Sequence, residues 1–335
     1  MYSHVVKTVD GHTAGEPLRI IADGIPQLPG STMLERRRHA IQHINEFRTI
    51  LMWEPRGHRD MYGAILTPPA TDDGDVGVLF MHNDGFSTMC GHGIIALASL
   101  GPGEGLVPLD WSNPLIRFDT PAGRVVARVR HENRRIEDIA FCNVPSFVVD
   151  VDASVHVPGL GDVRYDLAFG GAFYAYVDAA SVGLELEADQ SQRIVDVSMS
   201  IKRELIERNC LGEGVLGDEL DFLYGVILTG PAHGEAHSRN VCVFADGEVD
   251  RSPTGTGVSG RIAIHHHRGE VGLGEHIRIE SILGTTFDVA AVEDLTVDDR
   301  DAVVPEVTGM AYLTGRHEFV VDPMDPLGTG FLLGG

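Results

Sequence analysis

Residues 84–97 have the sequence Asp84-Gly-Phe-Ser-Thr-Met-Cys90-Gly-His-Gly-Ile-Ile-Ala-Leu97, in which a cysteine comes just before a Gly-His-Gly turn. Apolar residues then recur at helical spacing, with Ile94, Leu97 and Ala98 at positions i, i+3 and i+4. We therefore predict a buried helix that starts directly after Cys90. The unpaired N–H groups at such a helix start attract anions and favour a thiolate over a thiol. They are also suited to hold a small carboxylate.

The same plan returns in a second stretch, Asp250-Arg-Ser-Pro-Thr-Gly-Thr-Gly-Val-Ser-Gly-Arg-Ile-Ala263. A small polar side chain, Thr254, stands before a Gly-Thr-Gly turn, and Val258 and Ile262 begin another apolar helix. The two stretches lie far apart in the chain, one in each half. We expect the two helix N-termini to face each other and to hold one small acid between Cys90 and Thr254.

The composition limits the classes of partner. The chain has 335 residues, which is long enough for two domains, and 43% of them are apolar. The 49 acidic residues outnumber the 26 basic ones, so the net charge is −23. Such an acidic surface argues against nucleic acid, whose binding depends on Lys and Arg neutralising phosphates. A small anionic substrate is not excluded, because the positive potential at helix N-termini can outweigh, within a binding site, the negative potential of the whole protein.

The sequence favours a cytoplasmic protein without a membrane partner. Residues 1–10 lack the apolar core of a signal peptide, and no apolar run reaches the roughly 18 residues of a membrane helix. The four cysteines are widely spaced and form no C-x-x-C pair; they are Cys90, Cys142, Cys210 and Cys242. This pattern favours free thiols in a reducing compartment over a disulfide framework or a zinc site.

The order of elements is similar in the two halves of the chain. Each half shows strands, a long surface helix, more strands, a glycine turn, a buried helix and further strands. The long surface helices are predicted over residues 31–51 and 187–208. This order suggests an ancient duplication. Residues 306–335 are expected to return and complete the sheet of the first half.

We therefore predict an α+β fold with two similar domains and the active site in the cleft between them. The first domain comprises residues 1–147 plus 309–335 and carries Cys90. The second domain comprises residues 148–308 and carries Thr254.

Other polar residues have structural interpretations that compete with functional ones. His12 and Glu16 suggest a catalytic dyad, but support of the fold is favoured. The run His265–His267 suggests a metal site, yet three consecutive helical residues cannot all face one ion, so a solvated helix end is favoured. Cys90 and His92 are too close in sequence to make a convincing protease dyad.

Together these motifs resemble the proline racemase family, which shares a two-domain fold with diaminopimelate epimerase. In that fold each domain is a curved sheet around a central buried helix. The most specific pair of motifs is Met-Cys-Gly-His-Gly at residues 89–93 and Asp-Arg-Ser-Pro-Thr-Gly-Thr-Gly at residues 250–257. Further matching segments cover residues 10–17, 143–147, 168–173, 280–284 and 325–327.

One departure from the family pattern bears on function. In the racemases and hydroxyproline epimerases of the family both motifs carry cysteine. One thiolate removes the α-proton, and the opposite thiol delivers a proton to the other face. Here Thr254 replaces the second cysteine. A threonine hydroxyl is too weakly acidic to act as general acid and base near neutral pH, whereas a free cysteine titrates at about 8.5. The Cys/Thr pair resembles the family's trans-3-hydroxy-L-proline dehydratases.

The resemblance implies a role for each site residue. Cys90 removes the α-proton, and the intermediate expels its 3-hydroxyl to give Δ1-pyrroline-2-carboxylate. Asp250 contacts the ring amine, and Thr254 either hydrogen-bonds the leaving group or only caps its helix. The substrate carboxylate is held by the N–H groups of Gly91, His92, Gly255 and Thr256. No metal or organic cofactor is required, and a homodimer would follow family habit.

Two other functions stay open at this point. An isomerase acting on proline or 4-hydroxyproline would need another proton donor in place of Thr254. A non-catalytic amino-acid binding protein would keep the pocket and lose the chemistry.

Overall fold

A computed structural model describes residues 2–212, 215–217 and 220–333. The chain divides into two compact units, which are unit 1 (Met1–Phe141 with Met310–Gly335) and unit 2 (Cys142–Gly309). The domain boundaries predicted from the sequence fall after residues 147 and 308. Parts of the predicted domains, residues 1, 213–214, 218–219 and 334–335, lie outside the described residues.

Unit 1 begins with two long strands and continues with helices and shorter strands. Its strands are β1 (His4–Thr13), β2 (Glu16–Asp23), β3 (Tyr62–Thr67), β4 (Val76–His82), β5 (Phe86–Ser87), β6 (Leu115–Thr120), β7 (Gly123–Glu132) and β8 (Arg135–Cys142), the last of which reaches the unit boundary. Its helices are α1 (Met33–His43), α2 (Asn45–Met52) and α3 (Gly91–Leu100).

Unit 2 repeats this mixture of strands and helices. Its strands are β9 (Ser146–Val157), β10 (Gly161–Phe169), β11 (Phe173–Asp178), β12 (Leu223–Gly230), β13 (Ser238–Phe244), β14 (Glu248–Val249), β15 (His276–Glu280), β16 (Thr286–Val297) and β17 (Arg300–Gly309). Its helices are α4 (Ser191–Glu207) and α5 (Gly255–His267), with single 3₁₀ turns at Ala179–Val182 and Ala188–Gln190. Among the described helices, none has the length and apolar character needed to cross a membrane.

The last strand, β18 (Ala311–Val321), returns the chain to unit 1. It pairs antiparallel with β1 over the whole length of that strand, from His4 opposite Val321 to Thr13 opposite Ala311. This confirms the expectation that the C-terminal segment completes the sheet of the first half.

The directions of strand pairing repeat between the two units. In unit 1, β1–β2 is antiparallel, β2–β3 parallel, β3–β4 antiparallel, β4–β6 parallel and β6–β7 antiparallel. In unit 2, β10–β11 is antiparallel, β11–β12 parallel, β12–β13 antiparallel, β13–β15 parallel and β15–β16 antiparallel. The same sequence of directions in both halves supports the duplication inferred from the element order.

Each unit wraps its strands around one apolar helix. Helix α3 contacts β1, β2, β7 and β18, and helix α5 contacts β9, β10, β16 and β17. Ile94 and Leu97 on α3, and Val258 and Ile262 on α5, are completely buried. Strands on several sides explain why α3 is apolar nearly all round instead of carrying one apolar stripe. The predicted α+β fold with a curved sheet around a central buried helix is confirmed.

The surface helices differ in how well the sequence predicted them. Helix α4 lies within the predicted range 187–208 and buries Ile194, Ile201 and Leu205, as the spacing required. The single helix predicted over residues 31–51 is instead two helices. Ile44 separates α1 from α2 with a non-helical backbone, φ −127° and ψ 15°, while its side chain is buried in the core of unit 1. Ile44 thus has the buried position that its helical spacing in the sequence predicts, but the backbone leaves the helix there.

A buried ion pair joins the first hairpin of unit 1 to the elements around it. The Arg19 guanidinium lies 2.8 Å from the Asp10 carboxylate, and both side chains are at least nine-tenths buried. Arg19 Nη1 also donates to the carbonyls of Leu51 and Arg56, each at 2.6 Å. The face of the Phe319 ring lies 4.2 Å from the guanidinium carbon. Because one cation joins a strand carboxylate to carbonyls of a helix and a loop, losing that carboxylate should destabilise the unit.

We predict that Asp10→Asn lowers the free energy of unfolding by about 3–5 kcal/mol, because it leaves Arg19 charged and buried without a carboxylate. Urea denaturation followed by circular dichroism measures the loss. The matched control is Asp288→Asn, which breaks the exposed pair with Arg278 and should cost under about 1 kcal/mol. Equal losses in the two variants would contradict this role of the buried pair.

Candidate active site

Cys90 lies at the N-terminus of α3, where the sequence predicted it. Its backbone is extended (φ −146°, ψ 110°), and its sulfur caps the helix by accepting from the Gly93 amide at 3.2 Å. The side chain is buried, with 4% of the residue exposed. A sulfur that accepts an N–H bond at the positive end of a helix is stabilised in its anionic form.

The His92 side chain turns back towards the same sulfur. Its Nδ1 lies 3.3 Å and its Nε2 3.5 Å from Cys90 Sγ. The Tyr62 ring meets the imidazole edge-to-face at 4.8 Å, and the Thr13 hydroxyl donates to the His92 carbonyl at 2.8 Å. These contacts fix the imidazole beside the sulfur, so the pair can exchange a proton.

Gly93 is required by close packing around the sulfur. A Cβ atom at this position would lie 2.3 Å from the Phe80 ring and 2.9 Å from Cys90 Sγ. Real Cβ atoms do not approach other atoms so closely. Glycine therefore lets the amide reach the sulfur without displacing it.

Thr254, at the start of α5, has a different geometry from Cys90. Its backbone has φ 69° and ψ 97°, a conformation that is unusual for a β-branched residue and costs about 1–3 kcal/mol. Its side chain makes no capping bond, so the interpretation of Thr254 as an ordinary N-cap is wrong. The hydroxyl oxygen is buried and has no hydrogen-bond partner within the described residues. An unsatisfied buried hydroxyl in a strained segment is a candidate for contact with a ligand.

A tight turn holds Thr254 in this conformation. The Asp250 carboxylate accepts from the Ser252 amide at 2.7 Å, and the Ser252 hydroxyl accepts from the Thr254 amide at 3.1 Å. The Asp250 amide donates to the Cys242 carbonyl at 3.0 Å, which anchors the turn on β13. Only Oδ1 of Asp250 is used in this way. Within the described residues Oδ2 accepts no hydrogen bond, so it is available to a cationic group.

Two further side chains support the start of α5 and were not predicted as site residues. Tyr174, on β11, shares a buried hydrogen bond of 2.7 Å with the Thr256 hydroxyl. Asn143 donates to Ser259 Oγ at 2.9 Å and to the Gly170 carbonyl at 2.7 Å. Asn143 is the first residue of a sequence segment that matches the family, so the sequence could have identified it as a site residue. Tyr174 carried no signal, because nothing in the sequence aligns its strand with α5.

The first amides of both helices lack acceptors. Within the described residues, the N–H groups of Gly91, Gly255 and Thr256 donate no hydrogen bond, although all three residues are buried. Helix starts leave such groups unpaired, and they form an anion-binding surface. The structure thus brings Cys90, Gly91 and His92 together in unit 1, and Asp250, Thr254, Gly255 and Thr256 together in unit 2. That the two groups act on one substrate stays a prediction.

The remaining predicted candidates have structural partners. His12 accepts from the Gly15 amide at 3.2 Å in the turn between β1 and β2, and its ring packs beside Tyr312. Glu16 is fully buried opposite Thr13 in the same hairpin. These contacts fit the expected role of His12 and Glu16 in supporting the fold.

The three consecutive histidines at the end of α5 do not converge. His265 contacts Glu270 at 2.6 Å, whereas His266 contacts Asp294 at 2.9 Å and the Val271 carbonyl at 3.1 Å. In the part of the chain that the structure describes, no three His, Cys, Asp or Glu side chains are grouped as a metal site.

Cys210 is unsuited to act as a base. Burial raises the pKa of its thiol to about 11, so it is protonated at neutral pH. Its environment contrasts with that of Cys90, whose sulfur accepts from an amide at a helix start.

Comparisons with known proteins agree with the arrangement of these motifs. The chain matches the sequence model of the family described as proline racemase over residues 8–332. A trans-3-hydroxy-L-proline dehydratase of Colwellia psychrerythraea is 45% identical over 329 residues, which cover 98% of this chain and 92% of the relative. A 4-hydroxyproline 2-epimerase of Streptosporangium roseum is 43% identical over 333 residues, which cover 98% of each chain.

Among solved structures, the chain is similar to a hydroxyproline epimerase from Agrobacterium vitis that was crystallised with bound trans-4-hydroxy-L-proline. The TM-score is 0.91 at 30% sequence identity, and the alignment covers 99% of this chain and 96% of the epimerase. The similarity in fold thus extends over both units.

We predict that Thr254→Gly leaves the free energy of unfolding within about 1 kcal/mol of wild type, because glycine relieves the positive φ while the buried methyl group is lost. Thr256→Gly, two residues later in regular helix, should lower it by about 1–3 kcal/mol, because it removes the buried hydrogen bond with Tyr174 and places a glycine inside the helix. Urea denaturation of both variants makes the comparison. If Thr254→Gly lowered the free energy of unfolding as much as Thr256→Gly does, the positive φ of Thr254 would not be a source of strain.

Proposed function

The chain belongs to the proline racemase family, and we propose that it is a trans-3-hydroxy-L-proline dehydratase, a hydro-lyase that needs no cofactor. The observation that carries this proposal is the hydroxyl of Thr254, which is buried and makes no hydrogen bond within the described residues. By the resemblance of its motif, Thr254 stands where the family's racemases and epimerases carry their second cysteine. The 45% identical relative named for this activity supports it.

In the proposed reaction Cys90 is the base. Its thiolate takes the proton from Cα of the substrate and leaves a carbanion-like intermediate. The electron pair of the former C–H bond then forms a double bond between Cα and C3, the bond from C3 to its hydroxyl breaks, and hydroxide leaves with a proton as water. The enamine then tautomerises to Δ1-pyrroline-2-carboxylate. His92, 3.3 Å from the sulfur, is placed to accept the abstracted proton and to return it to the departing hydroxide.

The backbone supplies the charge stabilisation in this proposal. The substrate carboxylate accepts from the amides of Gly91, His92, Gly255 and Thr256, three of which lack any other acceptor among the described residues. These fixed dipoles stabilise the negative charge that develops when the α-proton leaves. Asp250 Oδ2 would accept from the ring ammonium, while Oδ1 keeps the turn in place.

Thr254 decides between elimination and inversion. A hydroxyl cannot hand a proton to the opposite face of Cα near neutral pH, so the intermediate is not reprotonated there. The same hydroxyl can donate a hydrogen bond to the leaving 3-hydroxyl, since it makes no hydrogen bond to any residue that the structure describes. Loss of water is then the faster route.

A 4-hydroxyproline 2-epimerase is the second candidate. The 43% identical relative with this name and the hydroxyproline epimerase structure favour it. It requires a proton donor other than Thr254 on the second face of the substrate. A non-catalytic amino-acid binding protein would show ligand-induced thermal stabilisation and no deuterium at Cα.

The deciding experiment is a substrate panel in D₂O followed by NMR, with proline and the 3- and 4-hydroxyproline isomers. We expect trans-3-hydroxy-L-proline to be consumed and its product to be trapped with o-aminobenzaldehyde. Inversion of 4-hydroxyproline without loss of the 3-hydroxy substrate would favour the epimerase. No reaction with any of them under reducing conditions would rule out both enzymes.

The free cysteines support a cytoplasmic location for this enzyme. Cys90, Cys142, Cys210 and Cys242 all remain as thiols, and the proposed base must stay reduced to act.

We predict that Cys90→Ser reduces kcat by about 10²–10⁴-fold or more, because a serine hydroxyl is too weak a base to remove the α-proton. The control is Cys210→Ser, which removes a thiol that is protonated at neutral pH and should keep wild-type kcat. Product formation from trans-3-hydroxy-L-proline is the measurement. Substantial activity in Cys90→Ser would exclude Cys90 as the base.

We predict that Thr254→Cys gains exchange or epimerisation at Cα, because a thiol can deliver a proton to the second face. Thr254→Val, which has the shape of threonine without its hydroxyl, should gain no exchange and should lower dehydration by about 10- to 100-fold through loss of the leaving-group hydrogen bond. Deuterium incorporation and chiral analysis distinguish the two variants. Identical behaviour of the cysteine and valine variants would remove Thr254 from the mechanism.

A further inference from the structure

Ser259 places a fully buried hydroxyl on α5, one turn after the start of the helix. Its hydroxyl donates to the Gly255 carbonyl at 2.8 Å. When α3 and α5 are aligned from their first residues, Gly91 and Gly255, the residue at this place in α3 is Ile95, which is also fully buried. Burying a hydroxyl in place of an apolar group is costly unless the hydroxyl is hydrogen-bonded. The partners of Ser259 therefore decide what this polar residue does in an apolar helix.

A second side chain determines the direction of the hydrogen bond from Ser259. Asn143 Nδ2 donates to Ser259 Oγ at 2.9 Å and to the Gly170 carbonyl at 2.7 Å. Asn143 Oδ1 accepts from the Val144 amide at 2.8 Å, which fixes the orientation of the side-chain amide. The Ser259 oxygen accepts from Asn143, and its proton therefore points to the Gly255 carbonyl.

This chain of hydrogen bonds ends on the peptide group between Gly255 and Thr256. The Gly255 carbonyl and the Thr256 N–H belong to one planar group and point in opposite directions. The carbonyl accepts from Ser259, whereas the Thr256 N–H donates no hydrogen bond within the described residues. A bond to the carbonyl holds the plane of the peptide group and polarises it, and such cooperative strengthening amounts to about 10–30% per bond. The Thr256 N–H is therefore both oriented and made a stronger donor.

Gly170 packs directly against the same turn of α5. A Cβ atom at Gly170 would lie 2.1 Å from the Thr256 carbonyl oxygen and 3.1 Å from Ser259 Cβ. Real Cβ atoms do not approach backbone atoms so closely, so glycine is needed here. Asn143 holds both the Gly170 carbonyl and Ser259, and it thereby ties this loop to the first turn of the helix.

A serine that donates to the carbonyl four residues earlier is common in helices, and that bond alone does not indicate a substrate. Ser200, partly exposed on α4, makes the same bond to the Asp196 carbonyl at 2.8 Å. Ser259 differs because it is fully buried and because its oxygen also accepts from Asn143. The carbonyl that it holds also belongs to the first peptide group of α5, where the free N–H lies.

We propose that Ser259 is a positioning residue for the substrate carboxylate, because it orients and strengthens the Thr256 N–H through the Gly255 carbonyl. This role rests on the proposed function, in which a carboxylate binds at the start of α5. The effect is largest when negative charge builds up on the carboxylate as the α-proton leaves. Ser259 thus contributes to binding and to removal of the proton without touching the substrate.

The test uses the full chain labelled with ¹⁵N-threonine. The Thr256 amide resonance is assigned by its loss in Thr256→Ser, which keeps the hydroxyl. L-Proline, which has no 3-hydroxyl to lose, and L-prolinamide, which has no carboxylate, are added in turn. We expect a saturable shift of this resonance with L-proline and a much weaker response to L-prolinamide. No saturable shift with L-proline would contradict the proposed role of Ser259.

Ser259→Ala should weaken the binding of L-proline by about 3- to 10-fold and lower kcat/KM for trans-3-hydroxy-L-proline by at least as much. The matched control is Ser200→Ala, which removes the same kind of bond from α4 and should change neither quantity. A folded Ser259→Ala protein with lowered thermal stability but wild-type affinity for L-proline would show that the hydroxyl only stabilises the helix.

Ser259→Cys decides the matter if Ser259→Ala fails to fold. Its thiol is of similar size but is a weaker donor, so it should weaken L-proline by about 2- to 5-fold, and wild-type affinity would contradict the role. Because L-proline cannot be dehydrated, binding is measured independently of catalysis. An effect of Ser259 on L-proline in a protein that does not dehydrate trans-3-hydroxy-L-proline would contradict the proposed function and support the role of Ser259.

Discussion

The amides at the starts of α3 and α5 are the constraint from which the rest of each unit follows. Strands surround both helices, and the residues that carry these N–H groups are buried. A buried donor without a partner costs about 1–3 kcal/mol, which the carboxylate of the proposed substrate would offset. Gly93 makes room for the capping sulfur, because a Cβ atom there would lie 2.9 Å from Cys90 Sγ. The proposed affinity for a carboxylate would thus follow from the same burial of these helices that the fold requires.

The two helix starts share a plan but not a backbone conformation. Cys90 is extended, and its sulfur is held by an amide and an imidazole. Thr254 is strained at positive φ, and its hydroxyl makes no bond among the described residues. The turn built by Asp250 and Ser252 maintains that strain. The Cys90 sulfur therefore has the surroundings that the proposed base requires. The Thr254 hydroxyl makes no hydrogen bond among the described residues. This asymmetry fits the proposed elimination better than a symmetric proton exchange.

Buried charge is handled differently in different parts of the molecule. Arg19 and Arg239 each pair with a carboxylate and also donate to backbone carbonyls of neighbouring segments, so they hold the fold together. Buried Arg36 and partly exposed Arg261 donate only to neutral acceptors, and no carboxylate of the described residues lies within 4.0 Å of either.

The sequence alone determined the features that depend on local spacing. Apolar periodicity located α3, α4 and α5, and the paired glycine motifs identified the family and the residues at both helix starts. Only the tertiary structure decided what depends on packing between distant segments. The chain leaves the helix at Ile44, whose side chain lies in the core of unit 1. The turn that holds the non-capping Thr254 is anchored on β13, and the hydrogen bond from Tyr174 to Thr256 joins β11 to α5. A residue's neighbours in sequence limit its backbone, but its final dihedral angles and partners are set by strands that arrive from elsewhere in the chain.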